Sequence, residues 1–106
     1  MLLRDLAHAR AGDKGDISCI SVIARDARDY EWLLGEVSEA RVAAHLGGLV
    51  RGAVRRYAVP TLGALNFVLD GALAGGVTRS LALDPHGKGL SWALPSLPVA
   101  TPPRLR

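Results

Sequence analysis

His8-Ala9-Arg10-Ala11-Gly12-Asp13-Lys14-Gly15-Asp16, running directly into Ile17-Ser18-Cys19-Ile20-Ser21-Val22-Ile23-Ala24, is the stretch on which the reading of the fold turns. Its first part is the densest polar chemistry in the chain, and its second is almost wholly apolar. A short apolar run rich in β-branched side chains reads as a strand. Because apolar residues fill both alternating faces, it reads as a central strand covered on both sides, or one with its small serines tucked against a helix. The residues before it, Leu2 to His8, read as an earlier strand, with Leu2, Leu6 and His8 on one face and Leu3 and Ala7 on the other. The polar stretch is then the connection of a β-hairpin. It is longer than a tight turn requires, and loops of that kind carry function.

The chemistry of that connection suits an anionic or carbonyl-bearing ligand. Gly12 and Gly15 are expected to take positive φ and turn backbone N–H groups toward it, while Arg10 and Lys14 supply cationic donors. His8, Asp13 and Asp16 can accept or exchange protons and are the candidate catalytic residues. The same residues also admit a purely structural role, in which Asp13 and Asp16 pair with Arg10, Lys14 or Arg79 and stiffen the hairpin.

Further along, Asp26 or Asp29 can cap a helix in which Tyr30, Leu33, Leu34 and Val37 recur at helical spacing. Ser38 opens a second helix carrying Val42, Ala43 and Leu46, which Gly47-Gly48 can stop. Trp32 and His45 fall off the apolar stripe, and Trp32 is expected to lie over a helix end. Leu49 to Val59 reads as a strand ended by Pro60, with Arg51, Arg55 and Tyr57 on a solvated face. Leu62 to Ala74 reads as a helix with a stripe of Leu62, Leu65, Leu69, Ala72 and Leu73. Asn66 within it must find partners, so it is either a tether for a loop or a ligand-binding residue. Val77 to Leu83 reads as a last strand bearing Arg79, followed by a turn at Asp84-Pro85-His86-Gly87-Lys88. Gly89 to Leu94 is ambiguous between helix and strand. The division expected is a domain over 1–94 and an extended Pro-rich tail over 95–106.

Composition narrows the classes. A chain of 106 residues with 49% hydrophobic residues is one domain with a packed core. No apolar run approaches the roughly 20 residues of a bilayer span, and Asp5 interrupts the position of a signal sequence, so a cytoplasmic location is expected. The net charge of +3 rests on arginine rather than lysine, with no basic block longer than Arg55-Arg56 and few aromatics, which argues against nucleic acid. The single cysteine, Cys19, cannot form an internal disulfide or build a metal site alone. Its apolar neighbours predict a buried core thiol, and no metal or cofactor is expected.

Four segments in this order resemble one family: Ala7 to Ser18, Leu49-Val50-Arg51-Gly52 with Arg56-Tyr57, Ala64-Leu65-Asn66-Phe67-Val68-Leu69, and Thr78-Arg79-Ser80-Leu81. They look like the C-terminal domain of the acyclic terpene utilisation protein A (AtuA) family. The chain departs from that pattern in having Ala11 where Ser is common and Val77 where a third Gly is common. The resemblance implies an α+β, ferredoxin-like domain with an antiparallel or mixed four-stranded sheet and helices packed on one face, standing alone rather than fused behind a large N-terminal domain. It also implies a place in bacterial catabolism of branched terpenoid acids and related acyl-CoA intermediates, and it carries over no catalytic residue.

Three functional readings follow. In the first, the domain is a subunit that binds a larger AtuA N-terminal-like protein, itself, or both, to complete a site; a homodimer is compatible with a lightly covered sheet face. In the second, it is a small hydratase, lyase or hydrolase for an acyl-CoA or carboxylic acid, with Asp13 or His8 as general acid/base and Arg10, Lys14 or Arg79 holding the carboxylate or phosphates. In the third, it is an anion-binding regulatory module. The residues leave open whether a bond is made or broken.

Overall fold

In the computed structural model, which describes residues 1–14, 17–47, 50, 52–71 and 93–106, the apolar run is a strand over its whole length. The strands are β1 (Ala7–Lys14), β2 (Ile17–Ala24), β3 (Val54–Val59) and β4 (Ala64–Asp70), and the helices are α1 (Tyr30–Glu36) and α2 (Glu39–Leu46). They form one four-stranded sheet in the order β1-β2-β4-β3, antiparallel at every pairing. From β2 the chain crosses through α1 and α2 to β3, then returns along β4 into the gap between β2 and β3. This is a split β-α-β unit, with β1 adding the outer strand beside β2. The expected α+β, ferredoxin-like architecture is therefore present, and the sheet is antiparallel rather than mixed.

Two-residue periodicity assigns the faces. On β2, Ser18, Ile20 and Val22 are buried, while Cys19, Ser21 and Ile23 are only half-buried. On β4, Leu65, Phe67 and Leu69 are buried against the same side, with Asn66, Val68 and Asp70 alternating with them. Leu33, Val37, Val42 and Leu46 of the helical layer pack onto this face, and Phe67 lies at its centre with no exposed surface. The second helix begins and ends as its sequence dictates, whereas Asp29, at the start of α1, makes no side-chain cap bond. Ser38 Oγ accepts from the Arg41 N–H at 3.2 Å, and Gly47 takes φ +52° at the end of α2. Arg56 reaches from the sheet to donate to the carbonyls of Leu34 and Val37 at 2.5 and 2.9 Å, satisfying orphan groups at the end of α1.

Several expectations are corrected. The strand read over Leu2 to His8 begins only at Ala7: Leu3–Asp5 is a 3-10 turn, because Leu3 and Leu6 bury on one side at a spacing of three and Asp5 Oδ2 accepts from the Leu2 N–H at 2.9 Å. The polar stretch is not a long loop, since its residues up to Lys14 are β1 itself, paired from Ala7↔Ala24 to Lys14↔Ile17. Alternating small and polar side chains suit an edge strand, which has solvent on one side. Gly12 lies in that strand and is not among the positive-φ glycines, so it has no left-handed turn to make. The segment read as a helix from Leu62 to Ala74, whose residues 72–74 lie outside the described residues, is instead, as far as Gly71, the end of a 3-10 turn, Pro60–Leu62, and β4. Gly63, at φ +59°, turns the chain between them, and the buried Leu65-Phe67-Leu69 series decides for period two over the helical spacing. Cys19 is half-buried on the face away from the helices, because alternation sets it with Ile17 rather than with Ile20 and Val22.

Gly52 of the Leu49-Val50-Arg51-Gly52 segment lies so close to β4 that a Cβ there would meet the Asp70 carbonyl oxygen at 2.7 Å. Its N–H donates to that oxygen at 2.9 Å, so only glycine fits. The C-terminal stretch, expected as an extended tail, is extended in part but docked. Leu97 and Val99 join the core, Leu3 N–H donates to the Leu97 carbonyl at 2.9 Å, and Trp32 Nε1 donates to the Ala100 carbonyl at 2.8 Å. Arg104 then grips the buried Asp29 carboxylate through two bonds of 2.6 Å. Val77 to Leu83, Asp84 to Lys88 and the start of the 89–94 segment lie outside the described residues.

Candidate ligand-binding face

Residues directly opposite one another in antiparallel strands share a face. Arg10 pairs with Ser21, Ser21 with Asn66, and Asn66 with Tyr57. One polar residue from each of the four strands therefore lines up in a single row across the sheet, on the side away from α1 and α2. The neighbouring rows on that side are His8, Ile23, Ala64 and Val59, and Gly12, Cys19, Val68 and Arg55. Among the described residues no helix or strand packs on this face, and its apolar side chains are unusually open: Tyr57 is 50% exposed and Leu62, at the adjoining turn, 71%.

Within the row Ser21 Oγ donates to Asn66 Oδ1 at 3.4 Å, a long bond that orients the amide so that its nitrogen, among the described residues, has no acceptor. A cavity of about 350 Å³ lies beside the pair, lined by Ser21, Ile23, Val59, Leu62, Ala64 and Asn66. Its position follows from the β3–β4 turn. Gly63 N–H donates to the Pro60 carbonyl at 3.1 Å, and the Gly63 carbonyl accepts from Ala24 N–H at 2.9 Å, which fixes Leu62 at the rim. In the next row Arg25 Nη1 lies 3.2 Å from His8 Nε2. A guanidinium can only donate, so Nε2 accepts and the imidazole proton sits on Nδ1. That bond occupies the lone pair with which His8 could act as a base. At the other end of the sheet Arg55 pairs with Asp70 at 2.5 Å, and this ion pair raises the Arg55 pKa above its ordinary value.

Of the residues singled out from the sequence, His8, Arg10, Gly12 and Asn66 are brought together on this one face. Asp13 and Lys14 pair with Ser18 and Ile17 at the far end of β1. Gly15, Asp16 and Arg79 lie outside the described residues. Ser21 and Tyr57 enter the row without having been singled out as site residues, and the alternation of Leu65, Phe67 and Leu69 is the signal that would have aligned them with Asn66. Among the described residues, no three His, Cys, Asp or Glu side chains gather as metal ligands, and no helix is long and apolar enough to cross a membrane.

The fold and the order of the four segments meet in one comparison: the family model described as the AtuA ferredoxin-like domain matches residues 1–100. The chain belongs to the AtuA ferredoxin-like domain family. A comparison with curated proteins and one with solved structures gave no match. The AtuA-type match runs through β1 to β4 and the docked Leu97 and Val99, and it ends short of Arg104, which holds Asp29.

Proposed function

We propose that this AtuA ferredoxin-like domain serves as a partner domain in the bacterial catabolism of branched terpenoid acids and related acyl-CoA intermediates, in the cytoplasm. In this reading it docks its open sheet face onto a larger subunit of the AtuA N-terminal type and so completes a shared site. The observation that carries the reading is the row Arg10–Ser21–Asn66–Tyr57 on the face that the helices leave bare. The row is polar and flanked by arginines, which suits an anionic ligand, while Ile17, Tyr57 and Leu62 on the same side are 41%, 50% and 71% exposed. Such large apolar groups favour burial against a second surface. The cavity beside Asn66 is open to solvent, and closing it over a ligand requires a covering partner.

The test is co-expression with an AtuA N-terminal-type subunit, followed by light scattering on the eluted species. The reading expects one complex with the native domain and separate species with the Tyr57→Glu, Leu62→Asp double variant. Independent elution of the two native proteins overturns it. A domain that pairs with itself and ignores the larger subunit replaces that partner with a second copy.

A further inference from the structure

We infer that the corner cavity of the open face is a binding site for a short aliphatic carboxylate, with Asn66 and Arg10 as its donors. The inference rests on the reading that this face is the working surface, and it assigns the chemistry that the face itself recognises. Four of the six lining residues, Ile23, Val59, Leu62 and Ala64, offer only hydrocarbon, so the body of the ligand is aliphatic. Among the described lining residues, the polar side chains are Ser21 and Asn66. Because the Ser21 hydroxyl gives its proton to Asn66 Oδ1, the amide presents its two Nδ2 hydrogens as donors.

An acceptor head suits those two hydrogens. Its charge is set by the neighbours. Arg10 is exposed and directly opposite Ser21 in the same row, and Arg25 stands in the adjoining row against His8. Among the described residues the lining holds no acidic side chain, and the acid on the opposite end of the sheet, Asp70, is already paired with Arg55. A cationic head finds no carboxylate among the described lining residues, whereas a carboxylate would accept from Asn66 Nδ2 and draw on the charge of Arg10, which stands in the row beside the cavity. A volume of about 350 Å³ is at the small end for ligand sites and restricts the body to a few carbons.

The experiment is an amide NMR titration of the full chain with sodium butyrate, run beside butylamine and 1-butanol. Butyrate is expected to give saturable shifts at Ser21, Leu62 and Asn66, with the amine and the alcohol binding about tenfold or more weaker, a difference that one charge-assisted hydrogen bond supplies. Arg10→Gln, on an exposed strand position that leaves the core untouched, and Asn66→Asp, isosteric but repulsive, are each expected to weaken butyrate by about tenfold. Equal shifts with the amine, or butyrate binding unchanged in both variants, overturn the site. If butyrate fails while the complex with the larger subunit forms, the cavity assignment falls and the partner reading stands; butyrate binding without a complex gives the reverse.

Discussion

Tyr57 stands directly opposite Asn66 across β3 and β4, and Asn66 in turn stands opposite Ser21 on β2, whose hydroxyl it accepts at 3.4 Å. A buried amide in a core helix would need strong partners, but this one is half-buried on the face away from the helices, and among the described residues it makes one long bond. Its removal should therefore leave the fold intact. Ser21→Ala is expected to change stability by less than about 1 kcal/mol, read from the denaturant midpoint.

The strand assignment of β4 makes a sharper demand. Phe67 faces the helices with no exposed surface, while the adjacent Val68 is half-buried on the open side. Phe67→Ala should cost about 3–5 kcal/mol and Val68→Ala distinctly less. Equal costs at the two positions would speak for a segment buried all round, as a core helix is.

The docked C-terminus yields a third expectation. Asp29 is 2% exposed, and Arg104 is its ion-pair partner at 2.6 Å. Arg104→Ala leaves a carboxylate desolvated without its cation, and since the arginine itself is about one-third exposed at 32%, the loss should be about 1–3 kcal/mol, read as a lowered midpoint. Arg104→Ala with Asp29→Asn should recover part of that loss.

A fourth concerns acid. Side-chain and backbone hydrogen bonds from Arg28 hold the Asp26 carboxyl well below the ordinary aspartate value of 3.8. A carboxyl lowered on folding contributes stability above its unfolded pKa and loses it as pH falls toward the folded one. The Tm difference between the native chain and Asp26→Asn should therefore be present at neutral pH and shrink between about pH 5 and pH 2. A difference that grows on acidification contradicts the assignment.

Much of this architecture was legible in the residues. The β-branched run Ile17–Ala24 marked the central strand, and Ser38 with Gly47 bracketed α2 through a side-chain cap and a left-handed glycine. The site was only half legible. Charges and glycines at 8–16 suggested a loop, yet small residues alternating with polar ones satisfy an edge strand equally well, and composition cannot separate the two. Leu62, Leu65 and Leu69 fit a helical stripe, and what decided against it was the pairing of β4 on both sides, a long-range property. With β4 read as a helix, Asn66 could not be aligned with Ser21 and Tyr57, so the row that defines the face was invisible even though Arg10 and Asn66 in it, and His8 and Gly12 beside it, had been singled out.

The central claim is that the face opposite the helices is the one the domain works with. Cross-saturation NMR on the domain bound to an AtuA N-terminal-type subunit tests it most directly. Signal loss is expected to concentrate at Arg10, Ser21, Tyr57, Leu62 and Asn66; loss centred instead on the exposed residues of the helical layer, Glu31, Ala40 and Ala44, would contradict it.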